Sequence, residues 1–158
     1  MSHNPDSSAF AFPIRVYWED TDAGGIVFYA NYLKFFERAR TEWLRSLGVQ
    51  QQSLRQQTGG MFVVSETRLK YHHPARLDDQ LLVTAKIKEI GRVGMTIEQS
   101  SLLITEQSDG TPLPSQPPPS SVLLCDGTIR IGWVDAATLR PARIPTQVLS
   151  ALASTIQH

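Results

Sequence analysis

The sequence predicts an α+β fold, with a mainly antiparallel sheet and one long helix. Three observations carry this. Apolar side chains recur at helical spacing over about residues 30–47. Five other stretches are extended or alternate in polarity, as half-buried strands do. Short runs of turn residues join most of these stretches, where a parallel sheet would need helical crossovers.

Residues 1–12, "MSHNPDSSAFAF", are polar and small and read as a flexible N-terminal arm; 13–158 reads as a single domain. In the first strand, 14–19, Ile14, Val16 and Trp18 face one way and Arg15, Tyr17 and Glu19 the other. "DTDAGG" breaks it. The helix stripe is Leu33, Phe36, Ala39, Trp43, Leu44 and Leu47. Phe35, Phe36 and Trp43 read as core. Arg38 and Glu42 sit four apart on the outer face, and Gly48 suits the C′ position. Further strands are expected at 61–71, 80–90, 95–105 and 122–134, with "GRVG" (91–94) as a tight hairpin. A short helix begins at Pro145. The segment 107–121 holds five prolines and four serines and reads as an exposed, disordered loop. Its Pro114–Pro117 spacing matches PxxP, a cheap match that a passive loop explains better than a polyproline ligand does.

Composition narrows the function. Fifteen basic and fifteen acidic side chains cancel, so no global field favours nucleic acid or anionic lipid as partner. Cys125 is the only cysteine, which excludes an intrachain disulfide and Cys-based zinc sites. The first residues show no basic, apolar leader pattern, and no apolar run reaches bilayer length. The expectation is a cytoplasmic protein without a membrane span.

"EDTDAGGIVFYANY", Glu19 to Tyr32, places three acids beside two glycines and an apolar run. A calcium loop would need a ligand at Gly24 and a bidentate Glu at Asn31, and both are missing. Aspartate-based phosphoryl transfer usually follows a buried parallel strand, and strand 14–19 alternates. The third chemistry sets one carboxylate beside a helix N-terminus. Gly24 and Gly25 let the chain turn tightly, Ile26, Val27, Phe28 and Tyr29 line a space, and the helix start offers unpaired N–H groups. That arrangement suits acyl transfer through an oxyanion hole. A purely turn-capping role for Asp20 or Asp22 stays equally open on chemistry alone.

"YWEDTDAGGIVFYANYLKFFERARTEWLRSLG" closely resembles the signature of the hotdog-fold thioesterases of the 4-hydroxybenzoyl-CoA thioesterase family. Within it the likeness is closest to the YbgC subgroup associated with the Tol-Pal system, and it continues through "YHHPARLDDQLLV" over roughly 13–105. The resemblance implies a five- or six-stranded antiparallel sheet wrapped around the long helix. It implies homodimers joined edge to edge, often paired into tetramers, with the active site at the dimer interface. The substrate would be an acyl-CoA, and no metal or other cofactor would be used. The family's essential Asp falls on Asp22, and its carbonyl-polarising backbone N–H falls on Tyr29. Many Tol-Pal-associated members carry His where this chain has Tyr29. A backbone N–H role survives that change; an imidazole role does not, and the acyl preference stays open.

The remaining substrate-binding candidates are Gly25, Ile26, Val27 and Phe28, with His73 at the pocket mouth and Arg92 as a phosphate contact. His72 and His73 are adjacent on an extended segment, so their side chains diverge and make a poor metal pair. Glu19 and Asp20 read as solvated or structural, and Glu37 as a partner for Lys34 or Arg40. Two rival readings stay alongside: a non-catalytic module binding acyl-CoA or acyl carrier protein, and a hotdog dehydratase. The dehydratase needs a proton-shuttling His near the helix start, and 22–37 has none.

Overall fold

The computed structural model describes residues 9–105 and 116–156. The strands are β1 (Phe10–Arg15), β2 (Gly60–Tyr71), β3 (Gln80–Ile90), β4 (Gly94–Leu103) and β5 (Val122–Asp135). The helices are α1 (Tyr32–Ser46), α2 (Gln51–Thr58) and α3 (Thr146–Ala153). The sheet is antiparallel throughout, in the order β1-β3-β4-β5-β2. One long helix against such a sheet is the expected hotdog arrangement, here with five strands among the described residues.

Helix α1 packs on β1, β3 and β4. Tyr32, Phe35, Phe36, Ala39 and Trp43 follow the i, i+3, i+4 rhythm and are all buried. They meet alternate residues of the central strands, Leu81, Val83 and Ala85 on β3 and Met95 and Ile97 on β4. Full burial of a side chain such as Phe36 contributes about 2–3 kcal/mol. Gly48 lies beyond the helix end with φ +82°, and Val49 N–H donates to Leu44 O at 2.8 Å, which closes the cap as expected.

The expected elements shift in five places. The arm is shorter than 1–12, because Phe10 and Phe12 pair with Ala85 and Val83 of β3 and rest on the core. Strand 14–19 ends at Arg15. The Asp20 carboxylate accepts the Tyr17 N–H at 2.8 Å and winds 18–20 into a 3-10 turn, leaving Trp18 79% exposed. A further 3-10 turn, Tyr29–Asn31, precedes α1, so the α-helix begins at Tyr32 and not at 30. Leu33, expected in the buried stripe, is 44% exposed, while Phe35 is buried as expected. Helix α2 had no counterpart in the sequence reading, because Leu54 is its one buried side chain and its remaining residues are polar.

Two helix ion pairs also differ from expectation. Glu42 pairs with Arg45 and not with Arg38. Arg40 turns inward and donates to Gln99 Oε1 at 2.9 Å. Burial lowers the Arg40 pKa, and the nearby Glu37 opposes that shift. The Gln99 amide is in turn held by the carbonyls of Phe36 and Thr84, at 3.0 and 3.1 Å, which ties α1 to two strands. The Pro/Ser-rich expectation falls partly outside the described residues, since 106–115, with Pro114, are not among them.

Candidate active site

The acidic segment folds into a miniature hairpin. Thr21 bridges Val27, Asp22 N–H donates to Ile26 O at 2.8 Å, and Gly25 N–H donates to Asp22 O at 3.0 Å. Gly25 takes φ +79°, a conformation costly for side-chain-bearing residues. Asp22 is exposed, and its Oδ1 accepts the Gly24 N–H at 2.8 Å. Among the described residues Oδ2 has no partner, so one carboxylate oxygen is open to water or a ligand.

Asp20 does different work. It is 6% exposed, its carboxylate holds Tyr17 N–H, and its carbonyl accepts both Phe28 N–H and the Asn31 side-chain amide, at 3.2 and 2.8 Å. It is structural. Glu19 is exposed.

The chain then crosses to the end of β2. Ile26 bridges Arg76, and Val27 N–H donates to Ala75 O at 2.8 Å. Ala75 N–H donates to the Tyr32 hydroxyl at 3.1 Å, and the Tyr71 hydroxyl donates to Tyr29 O at 3.1 Å. These bonds stitch "GGIVFYANY" to "YHHPAR". Between the two segments lies a groove of about 260 Å³ with Ile26, Val27, Tyr29, Tyr32, Tyr71 and His73 on its walls. His72 and Pro74 complete it. Burial raises the pKa of both Tyr32 and Tyr71, so both phenols stay protonated near neutrality. A cleft of about 310 Å³ between the end of α1, α2 and α3 has no titratable side chain on its walls, whereas a shallow surface hollow of about 270 Å³ on the outer face of α1 is lined by Lys34, Glu37, Arg38, Thr41 and Glu42.

Tyr29 opens the 3-10 turn, where helical geometry leaves the N–H without an internal acceptor. The peptide that carries it is polarised from behind, because Asn31 N–H donates to Phe28 O at 2.8 Å. A free N–H at a helix start therefore lies on one apolar groove, and the exposed Asp22 carboxylate sits in the tight turn that leads into Ile26 on its wall. Such a site can bind a carbonyl group, stabilise a developing oxyanion and deprotonate water.

The sequence candidates separate on this map. Ile26, Val27, Tyr29 and His73 line the groove; Gly25 forms its turn. Phe28 is 45% exposed and stacks on Tyr29 with ring centroids 4.7 Å apart, outside the groove wall. Arg92 sits at the β3–β4 hairpin, beside the Gly132 end of β5. The groove lies at the Cys125 end, so the two are separated by roughly 23 Å of strand at about 3.3 Å per residue. Within one chain Arg92 does not meet the groove. Tyr32, Tyr71 and Pro74 were not singled out in sequence. Strand alternation could have found Tyr71, which shares a face of β2 with Leu69. The His72–Asp126 contact, 2.8 Å between Nε2 and Oδ1, had no sequence signal across 54 positions. Among the described residues no group of three or more His, Cys, Asp or Glu is arranged to hold a metal ion, and no helix is long and apolar enough to cross a membrane.

Comparison with known proteins bears on the family and the fold. Residues 16–152 match the thioesterase-like superfamily. The chain is 37% identical to an acyl-CoA thioesterase YbgC of Haemophilus influenzae, over 91% of this chain and 94% of that protein. It is 33% identical to an acyl-CoA thioester hydrolase YbgC of Escherichia coli, over 92% and 96%. The fold also matches a mutant 4-hydroxybenzoyl-CoA thioesterase crystallised with 4-hydroxybenzoyl-CoA, with TM-score 0.77 and 18% identity over 92% of this chain and 99% of that one.

Proposed function

Since this chain belongs to the thioesterase-like superfamily, we propose that it hydrolyses acyl-CoA thioesters to the free acid and coenzyme A thiol, with Asp22 and the Tyr29 N–H as its working groups. The observation that carries this reading is an orphan helix-start N–H on an apolar groove, with a half-free carboxylate in the short hairpin that runs into Ile26 of its wall.

The acyl group enters the groove and its carbonyl oxygen accepts from Tyr29 N–H. Attack at the carbonyl carbon moves charge onto that oxygen, where the N–H interaction strengthens. Ionised Asp22 supplies the base for water, or itself attacks to give an anhydride that water opens. Either way the carbon–sulfur bond breaks and the leaving thiolate takes a proton. Both roles need one unencumbered carboxylate oxygen. Single-turnover hydrolysis in oxygen-18 water tests the nucleophilic route: label in Asp22 shows an anhydride opened at the aspartyl carbon, which a general base does not produce.

The protein works as a homo-oligomer. Support comes from β2, a strand of twelve residues at the sheet edge whose outer side has no partner strand among the described residues. Such an edge invites pairing with another copy. In the proposed assembly the two sheets join along β2, the groove opens onto the interface, and dimers associate further into tetramers. A cytoplasmic location and a connection to the Tol-Pal system belong to the same proposal, as does acyl carrier protein as an alternative thioester donor.

The test is a panel of short, long and aromatic acyl-CoAs with free thiol followed over time. Turnover on at least one, and its loss in Asp22→Ala, supports the reading. No turnover on any sinks it in favour of a binding module.

A further inference from the structure

We propose that Tyr71 is a positioning residue whose hydroxyl holds the Tyr29 turn so that the Tyr29 N–H faces the substrate. The proposal rests on the thioesterase reading above, because that N–H is the group it serves.

Tyr29 has little else to hold it. Its side chain is 62% exposed, so packing does not anchor it. Two hydrogen bonds fix its backbone instead. Asn31 N–H takes the Phe28 carbonyl at 2.8 Å, on the peptide before Tyr29. The Tyr71 hydroxyl takes the Tyr29 carbonyl at 3.1 Å, on the peptide after it. Together they constrain both backbone torsions of the residue that offers the N–H.

The hydroxyl is delivered from a rigid base. Tyr71 is the last residue of β2 and pairs with Cys125 of β5. Just beyond it, His72 and His73 N–H both donate to Leu124 O, at 2.8 and 3.2 Å, and the His72 ring meets Asp126 at 2.8 Å. The Tyr71 ring is also set edge-on to Tyr29 and Tyr32, with centroids 6.2 and 5.7 Å away. The sheet therefore aims the hydroxyl at the turn, where a phenol, protonated near neutrality, serves as donor.

The competing explanation is that Tyr71 only packs. Tyr71→Phe keeps the ring and removes the donor, so it separates the two. A positioning role predicts that kcat falls roughly five- to fiftyfold, the scale of a small misplacement at a reacting centre, with KM within about twofold of wild type. Amide hydrogen exchange in a peptide spanning 28–32 speeds up in the same variant. Site-specific O-methyltyrosine at 71, which retains ring and oxygen but donates nothing, gives the same loss and serves if Tyr71→Phe does not fold. A folded Tyr71→Phe with unchanged kcat and unchanged exchange overturns the proposal, as does a defect confined to KM. The Asp22→Ala control keeps the two ideas apart. If wild type turns over no acyl-CoA, the thioesterase reading fails and the exchange rates alone decide whether Tyr71 holds the turn.

Discussion

The side-chain amide of Asn31 donates to the Asp20 carbonyl at 2.8 Å, joining the approach to the acidic turn to the start of the long helix. The same carbonyl receives Phe28 N–H at 3.2 Å. The proposed catalytic carboxylate and the proposed oxyanion donor are thus held in one frame. Asn31→Ala should cost about 1 kcal/mol, the usual worth of one hydrogen bond, and lower Tm by about 3 °C. Thermal melts read the first effect. Acyl-CoA turnover should fall as well, because the frame loosens without any contact to substrate being removed.

Asp22→Asn keeps an oxygen for the Gly24 N–H and removes the charge. The turn should survive, with stability within about 0.5 kcal/mol of wild type, as for most exposed substitutions. Activity should fall at least about a hundredfold, the lower scale of general-base catalysis. Turnover within tenfold of wild type would show that another group does the chemistry.

Tyr29 gives a sharper test, because its proposed contribution is backbone. Tyr29→Phe should change kcat little. Tyr29→Pro removes the N–H at a first-turn position where proline is tolerated. The preceding Phe28, at φ −61° and ψ 130°, already has the extended conformation that proline requires of its neighbour. The variant should fold, and its kcat should fall about 100–1000-fold, as for loss of one oxyanion-hole donor. Steady-state kinetics with circular dichroism checks both halves.

Cys125 is fully buried, and burial, with Asp126 beside it, raises its thiol from 9.0 to about 12. The native protein should resist thiol-modifying reagents at neutral pH and react once unfolded. The raised value favours the neutral thiol in the folded state. Its contribution is therefore complete below pH 9.0 and is lost as pH rises toward about 12. Urea titrations across that range should show stability falling, with a shallower fall in Cys125→Ala.

Two glycines should fail differently. A Cβ at Gly127 would lie 1.9 Å from Arg68 O on the neighbouring strand, so Gly127→Ala must push β5 and β2 apart. It should cost about 3 kcal/mol or more, the upper range for overpacking. Gly25→Ala meets nothing within 4 Å but must keep φ +79°, which costs about 1–2 kcal/mol. Equal losses in chemical denaturation would contradict this distinction.

The sequence by itself determined the α+β class, the four strands after the long helix with their hairpin, and the segment proposed to carry the site. Each follows from local information: the spacing of apolar residues, the glycines at the turns and the ordered motif around Asp22. Tertiary structure decided the rest. Whether Phe10 and Phe12 belong to an arm or a strand depended on whether β3 offered a free edge to pair with. The exposure of Leu33 depended on how the sheet lies against α1. Asp20 is already set apart from Asp22 in the sequence, but that Asp20 is buried on the Tyr17 N–H and not solvated is a contact that composition does not encode. The tyrosine groove exists only because Tyr71, forty-two positions after Tyr29, is brought to it by the pairing of β2 with β5. Long-range pairing selects among side chains that look alike in sequence, because its free energy comes from partners that the local pattern does not name.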